Sequence, residues 1–173
     1  MNIRDIIKRL HEHYKEQLMK NPSEEELRKT SEFIRRHGLK GYEIWFCPEE
    51  HLYEQVLKML RKDDVVFDVG AGDLRFSLMM SQKVKKVYAV EINPLILGNA
   101  LKIIGYDLPA NLIVICGNAW KMQLPPDVTC VVCLMLTRHH KFPKHWKTRI
   151  IYSTKNGLKI LERGRSKWSG KKS

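Results

Sequence analysis

Between residues 2 and 20 the apolar positions Ile3, Ile6, Ile7, Leu10, Tyr14 and Leu18 recur at three- and four-residue intervals, with charged residues between them. That spacing lays one apolar stripe along a helix. In "NPSEEE", Ser23 and Glu26 form a capping box that opens a second helix, with Leu27, Ser31 and Ile34 on one face and a stop at Gly38. After the apolar connector "GYEIWFC", Pro48 starts a third helix that runs to about Leu60 and turns Leu52, Val56 and Leu60 toward a core. From Val65 the rhythm changes. The short, β-branched runs "VVFDV", "KVYAVEI", "LIVIC" and "TCVVCLML" read as strands, and "RFSLMMSQ" and "PLILGNALKIIG" as the helices between them. Continuously apolar strands are those covered on both faces. The alternation predicts an α/β fold, a Rossmann-like, mostly parallel sheet with flanking helices.

The end of the chain reads two ways. "TRIIYST", "GLKILERG" and "SKWSG" would supply a fifth strand and an antiparallel pair, while a helix over "HWKTRIIYSTKNGLKILE" would leave the sheet cut short. Gly157 and the β-branched run favour strands and a short or truncated C-terminal sheet edge. The organisation expected is an N-terminal helical extension over 1–47 and a Rossmann-like domain over 48–173, ending in a basic segment over 138–173.

Composition adds one asymmetry. Among 173 residues with a net charge of +12, the segment 138–173 holds twelve cations against a single acid, Glu162. The first 137 residues hold nineteen basic and eighteen acidic residues, close to balance. A block of one sign points to an anionic partner. Phe142, Trp146, Tyr152 and Trp168 lie among these cations, a mixture that offers phosphate contacts and stacking faces together. No apolar run reaches the roughly 18 residues of a membrane span, and the N-terminus lacks a secretory pattern, so a cytoplasmic setting is expected. Cys130 and Cys133 form a CxxC inside a strand, where they point apart. That spacing argues for buried structural thiols rather than a metal site.

The candidate chemistry sits at the strand ends, where sheets of this type bind ligands. Asp68-Val69-Gly70-Ala71-Gly72 follows the first strand, Glu91-Ile92-Asn93 the second and Gly117-Asn118-Ala119-Trp120 the third. The glycines permit a tight turn and close approach of a ligand. Glu91 can accept both hydroxyls of a ribose, and Asn118 can address an adenine edge. A dinucleotide site would need a third glycine where Arg75 stands, and Asp68 would repel a diphosphate. A cationic methionine amino group suits Asp68 better, so S-adenosylmethionine is expected over NAD. The rival roles are a helix cap for Asp68, a surface acid for Glu91 and a turn residue for Asn118.

"FDVGAGDLRF", "VYAVEIN" and "CGNAW", in that order, resemble the class I S-adenosylmethionine-dependent methyltransferases across residues 48–137. The resemblance implies cofactor contacts from Asp68, Gly70, Ala71, Gly72, Glu91, Ile92, Asn118 and Ala119. The spacing "PEE…VLKML…DVVFDVGAGD" is also similar to compact archaeal protein-lysine methyltransferases. Two departures stand out: Leu74 replaces a frequent glycine, adding bulk near the cofactor's tail, and Asn118 replaces a commoner aspartate.

After the fourth strand, "LTRHHKFPKHW" occupies the place of acceptor-binding groups and lacks the [DNS]PP[YF] motif of amino-group methylation. His139 and His140 are the candidate catalytic residues, as general base or acceptor-orienting groups, with a place in a basic turn as the alternative. Arg138, Lys141, Lys144, Lys147, Arg163, Arg165 and Lys167 are the candidate nucleic-acid contacts. An RNA acceptor is favoured over DNA. A protein-lysine acceptor, a small-molecule acceptor and a non-catalytic S-adenosylmethionine- or nucleic-acid-binding module are the alternatives.

Overall fold

A strand presents alternate side chains to opposite faces of its sheet, and the four apolar residues of β1 (Val65–Val69) divide accordingly between two apolar clusters, Val66 in one and Val65, Phe67 and Val69 in the other. The computed structural model describes residues 2–19, 28, 32, 50–105, 108–134, 141–154 and 156–163. In chain order these contain α1 (Ile3–Met19), α2 (Glu50–Met59), β1, α3 (Arg75–Ser81), β2 (Lys86–Glu91), α4 (Pro94–Ile104), β3 (Leu112–Cys116), a short 3₁₀ turn (Ala119–Lys121), β4 (Cys130–Cys133), β5 (Arg149–Thr154) and β6 (Gly157–Leu161). Among the described residues the sheet has six strands in the order β3-β2-β1-β4-β5-β6. The first five are parallel, and β6 returns antiparallel to β5 through a tight turn at Gly157. This is the Rossmann-like sheet expected from the strand pattern. Of the second predicted helix only Arg28 and Glu32 are described, both helical, and the "SKWSG" strand falls outside the described residues.

Strand order switches between the neighbours β1 and β4, so right-handed crossovers send the early connections to one face and the later ones to the other. The first face carries the helices. Ile6 and Leu10 of α1, Tyr53 and Val56 of α2, Leu78 and Met80 of α3, and Leu97 and Ala100 of α4 pack on Val66, Val87, Ala89, Val132 and Ile151. α1 is thus seated in the same core as the sheet.

The second face departs from the expectation of flanking helices. Among the described residues its cover is made of two loops, 117–128 and 141–148. Phe142 and Trp146 lie beneath them with Ala119 and Val128 against Phe67, Val69, Val131 and Ile150. Trp146 is fully buried, its ring 5.4 Å from that of Trp120 and 6.0 Å from that of Phe67. Phe142 stacks on Trp120 and meets the edge of Tyr152. Phe142 and Trp146 therefore do not serve as nucleic-acid stacking faces. They substitute for a helix layer. Cys130 and Cys133 face opposite clusters, and burial pushes the Cys130 thiol up to about 12 and raises that of Cys133 as well. β3 also differs from its reading as a doubly covered strand: it is an edge, with Ile113 exposed.

Candidate functional site

The turn after β1 is shaped by backbone conformations that favour glycine. Gly70 and Gly72 have φ of 76° and 56°, and a Cβ built on Gly70 would project into open space. Room for a ligand therefore lies against the backbone, while the positive φ disfavours any side chain there. The turn is anchored to the neighbouring strand by Gly70 and Ala71 N–H groups donating to the Val90 carbonyl, at 2.9 and 3.0 Å.

Glu91 joins the three strand-end loops. Its Oε2 accepts from the Gly72 N–H at 2.8 Å and its Oε1 from the Asn93 N–H at 2.8 Å. Its backbone carbonyl accepts from the Gly117 N–H, also at 2.8 Å. The side chain is buried, 6% exposed, so it is not the surface acid that a strand-end position allows. Each carboxylate oxygen has a further acceptor direction, so a pair of ribose hydroxyls fits this group. Ile92 follows it, half-buried.

Asp68 lies within β1 and points to the helix-covered face, 4% exposed. It does not cap the helix that follows. The N-cap position of α3 is Leu74, and Asp68 instead accepts from the Ser77 hydroxyl, one turn into that helix, at 2.5 Å. Burial is the main force raising its pKa to about 7; the Glu91 charge adds to the rise and the Ser77 hydrogen bond opposes it. A ligand ammonium placed here would relieve that strain, which is the chemistry expected of a methionine-bearing cofactor.

Asn118 fills the turn role. Its Oδ1 caps the 3₁₀ turn by accepting from the Trp120 N–H at 3.0 Å. Ala119 beside it is buried against the sheet. Leu74 has φ 66° and is fully buried in the helix-side cluster, so its side chain goes into the core and not toward a ligand's tail. Arg75 is also buried, folded back on Asp73.

The basic segment divides by contact. Lys141, Lys144 and Lys147 are exposed on the loop that Phe142 and Trp146 anchor. Arg163 is committed internally, donating to the Pro143 carbonyl at 2.7 Å. Arg149 pairs with buried Asp64 at 2.5 Å and donates to the Met59 carbonyl. Arg138, His139, His140, Arg165 and Lys167 lie outside the described residues, as do the other acceptor-side positions at 135–137. The reading by charge missed the structural use of Arg149 and Arg163. The aromatics at 142 and 146 with lysines at 141, 144 and 147 were a visible signal of a one-sided, anchored loop.

Sheet order and loops place the chain in the class of the Rossmann-like folds, similar to the class I S-adenosylmethionine-dependent methyltransferases. No protein-family model matches it. It is 35% identical over 82 residues to an uncharacterised protein of Methanocaldococcus jannaschii, covering 46% of this chain and 30% of that one. Identity is 26% over 98 residues to a probable ribosomal RNA small subunit methyltransferase A of Methanosarcina barkeri, 53% of this chain and 33% of the relative. It is 28% over 92 residues to a tRNA (guanine(37)-N(1))-methyltransferase of Pyrococcus abyssi, 53% of this chain and 27% of the relative. The crystal structure of that enzyme superposes with a TM-score of 0.43 at 26% identity, covering 52% of this chain and 27% of the other. The chain spans a third or less of the length of each of these curated relatives, and they do not resolve a subfamily.

Proposed function

We propose that this chain is an S-adenosylmethionine-dependent methyltransferase domain whose acceptor is RNA. The observation that carries the first half is Glu91. One buried carboxylate is held by backbone donors of two strand-end loops, its carbonyl holds the third, and it stands beside an open glycine turn. When bound, the sulfonium cofactor supplies an electrophilic methyl carbon. The chain's part is to hold it: Glu91 toward the ribose, Asp68 toward the ammonium, and residues 70–72 against the tail. Ile92, Asn118 and Ala119 would flank the adenine.

RNA is supported by three lysines directed outward from an anchored loop and by two of the relatives, which are named as ribosomal RNA and tRNA methyltransferases. Buried Phe142 and Trp146 remove base stacking from that loop, which leaves phosphate contacts as its means of recognition. Lys141, Lys144 and Lys147 are its contacts on this reading, with Arg138, Arg165 and Lys167 extending them. His139 and His140 remain the candidates for the acceptor side. Among the described residues no helix is long and apolar enough to cross a membrane, and a cytoplasmic site of action suits an RNA acceptor.

Calorimetric titration tests the cofactor. S-adenosylhomocysteine should bind, NAD should not, and Asp68→Ala should lose binding; no S-adenosylhomocysteine binding refutes the reading. Tritiated methyl transfer into fractionated cell extract tests the acceptor. Nuclease-sensitive label is expected, and protease-sensitive label would replace RNA with a protein acceptor.

A further inference from the structure

A buried guanidinium needs a counter-charge and acceptors, and Arg75, 5% exposed at the start of α3, finds both in an unusual place. Asp73 supplies the charge. Its Oδ2 lies 2.5 Å from Arg75 Nε, and its Oδ1 accepts the Arg75 backbone N–H at 3.1 Å. The acceptor at Nη1 comes from far away in the chain: Nδ1 of His11, on α1, at 2.9 Å. Arginine can only donate, so this contact assigns Nδ1 as the acceptor and puts the ring proton on Nε2. Around the polar contact, Ile6 and Leu10 of α1 join the same apolar cluster as Ala71 and Leu74.

The glycine turn is therefore gripped from two sides. Glu91 holds it at the Gly72 N–H, and the His11–Arg75–Asp73 series holds it from the opposite end. Between those grips sits Leu74, in a left-handed conformation that a leucine leaves readily when unconstrained. We propose that His11 and Arg75 are positioning residues for the cofactor turn, making α1 part of the cofactor site without touching the cofactor. This rests on the cofactor reading above. Loss of the imidazole takes an acceptor from Arg75 and loosens its hold on Asp73, the residue next to Gly72.

The test uses the full chain carrying His11→Ala or His11→Asn. Asparagine places its Oδ1 two bonds from Cβ, as histidine places Nδ1, and so restores the acceptor without the ring. Titration with S-adenosylhomocysteine is paired with amide hydrogen exchange at Gly70, Ala71 and Gly72. We expect His11→Ala to weaken binding about tenfold, the scale of one charge-assisted hydrogen bond, and to speed exchange at those amides. His11→Asn should restore both. Equal impairment in the two variants would mean that the ring merely packs, and would overturn the inference. Wild-type binding left unchanged in His11→Ala would overturn it while sparing the proposed function. Absence of binding in the wild type would overturn both.

Discussion

Leu74 provides the sharpest test of how the glycine turn is held, because its two costs have opposite signs. The side chain is fully buried in the helix-side core, and its backbone sits at φ 66°, ψ 0°. Truncation to alanine removes buried methyl groups and leaves a cavity, which costs about 3–5 kcal/mol. It leaves the backbone strain in place, since alanine also carries a Cβ. Truncation to glycine forfeits about 0.8 kcal/mol more for the last methyl and about 0.5–1 kcal/mol in backbone entropy. Against this, it releases about 1–2 kcal/mol of left-handed strain. The additional terms nearly cancel. Leu74→Gly and Leu74→Ala should therefore unfold within about 1 kcal/mol of each other, both well below wild type. At a right-handed helical position glycine would be worse than alanine by about 1.5 kcal/mol or more. Urea unfolding followed by tryptophan fluorescence measures the comparison, since Trp146 is fully buried. A glycine variant less stable than the alanine variant by 1.5 kcal/mol or more, on that same scale, would show that the left-handed conformation carries no strain.

Four other outcomes are expected. Asp68 has a folded pKa raised to about 7 from 3.8, so its contribution to stability is fully present below pH 4, is lost as pH rises through 7, and is level above that. Asp68→Asn should accordingly gain melting temperature over wild type between pH 4 and 7 and hold that gain above 7; a gain independent of pH would refute the buried, raised carboxyl. Cofactor binding to the wild type near pH 7 should release a proton, visible as buffer-dependent heats in calorimetry, because a ligand ammonium lowers that pKa. Arg149→Leu leaves the Asp64 carboxylate buried, with the Thr129 hydroxyl and the Arg61 N–H still donating to it. It should cost about 3 kcal/mol in urea unfolding, and a loss under about 1 kcal/mol would show that the pair is solvent-screened. Replacing Lys141, Lys144 and Lys147 together by alanine should lower the salt dependence of single-stranded RNA binding by about two in log–log slope, while an unchanged slope would remove this loop from the interface.

Much of the fold was legible because each element carries its own period. The stripe at Ile3, Ile6, Ile7 and Leu10 and the short β-branched runs locate α1 and the first four strands to within a residue or two at most boundaries. The turn after β1 was equally readable, since a positive φ leaves a direct mark in the choice of glycine. What the chain did not announce was any contact between distant segments. Arg149 finds Asp64 across 85 positions, and Arg75 finds His11 across 64. Neither partner is distinctive locally, and a charge count treats each as a solvated group. Leu74 was visible as a departure from glycine, yet the direction of its side chain depended on where α1 would lie.

The basic segment shows why charge alone assigns partners poorly. In the sequence its cations and aromatics form one mixed feature, fitted to phosphates and bases together. In the structure they are separated by burial: Phe142 and Trp146 go inward to cover a sheet face, and Arg149 and Arg163 spend their charge on Asp64 and on backbone carbonyls. Lys141, Lys144 and Lys147 point outward. The aromatics fix the loop on which these lysines stand, so the ammonium groups start from a defined backbone even though their own side chains are flexible. Such a surface meets a phosphate backbone electrostatically and reads no base. On the proposed RNA reading, discrimination among RNAs falls to surfaces other than this loop, and the loop sets how tightly the acceptor is held at a given salt concentration.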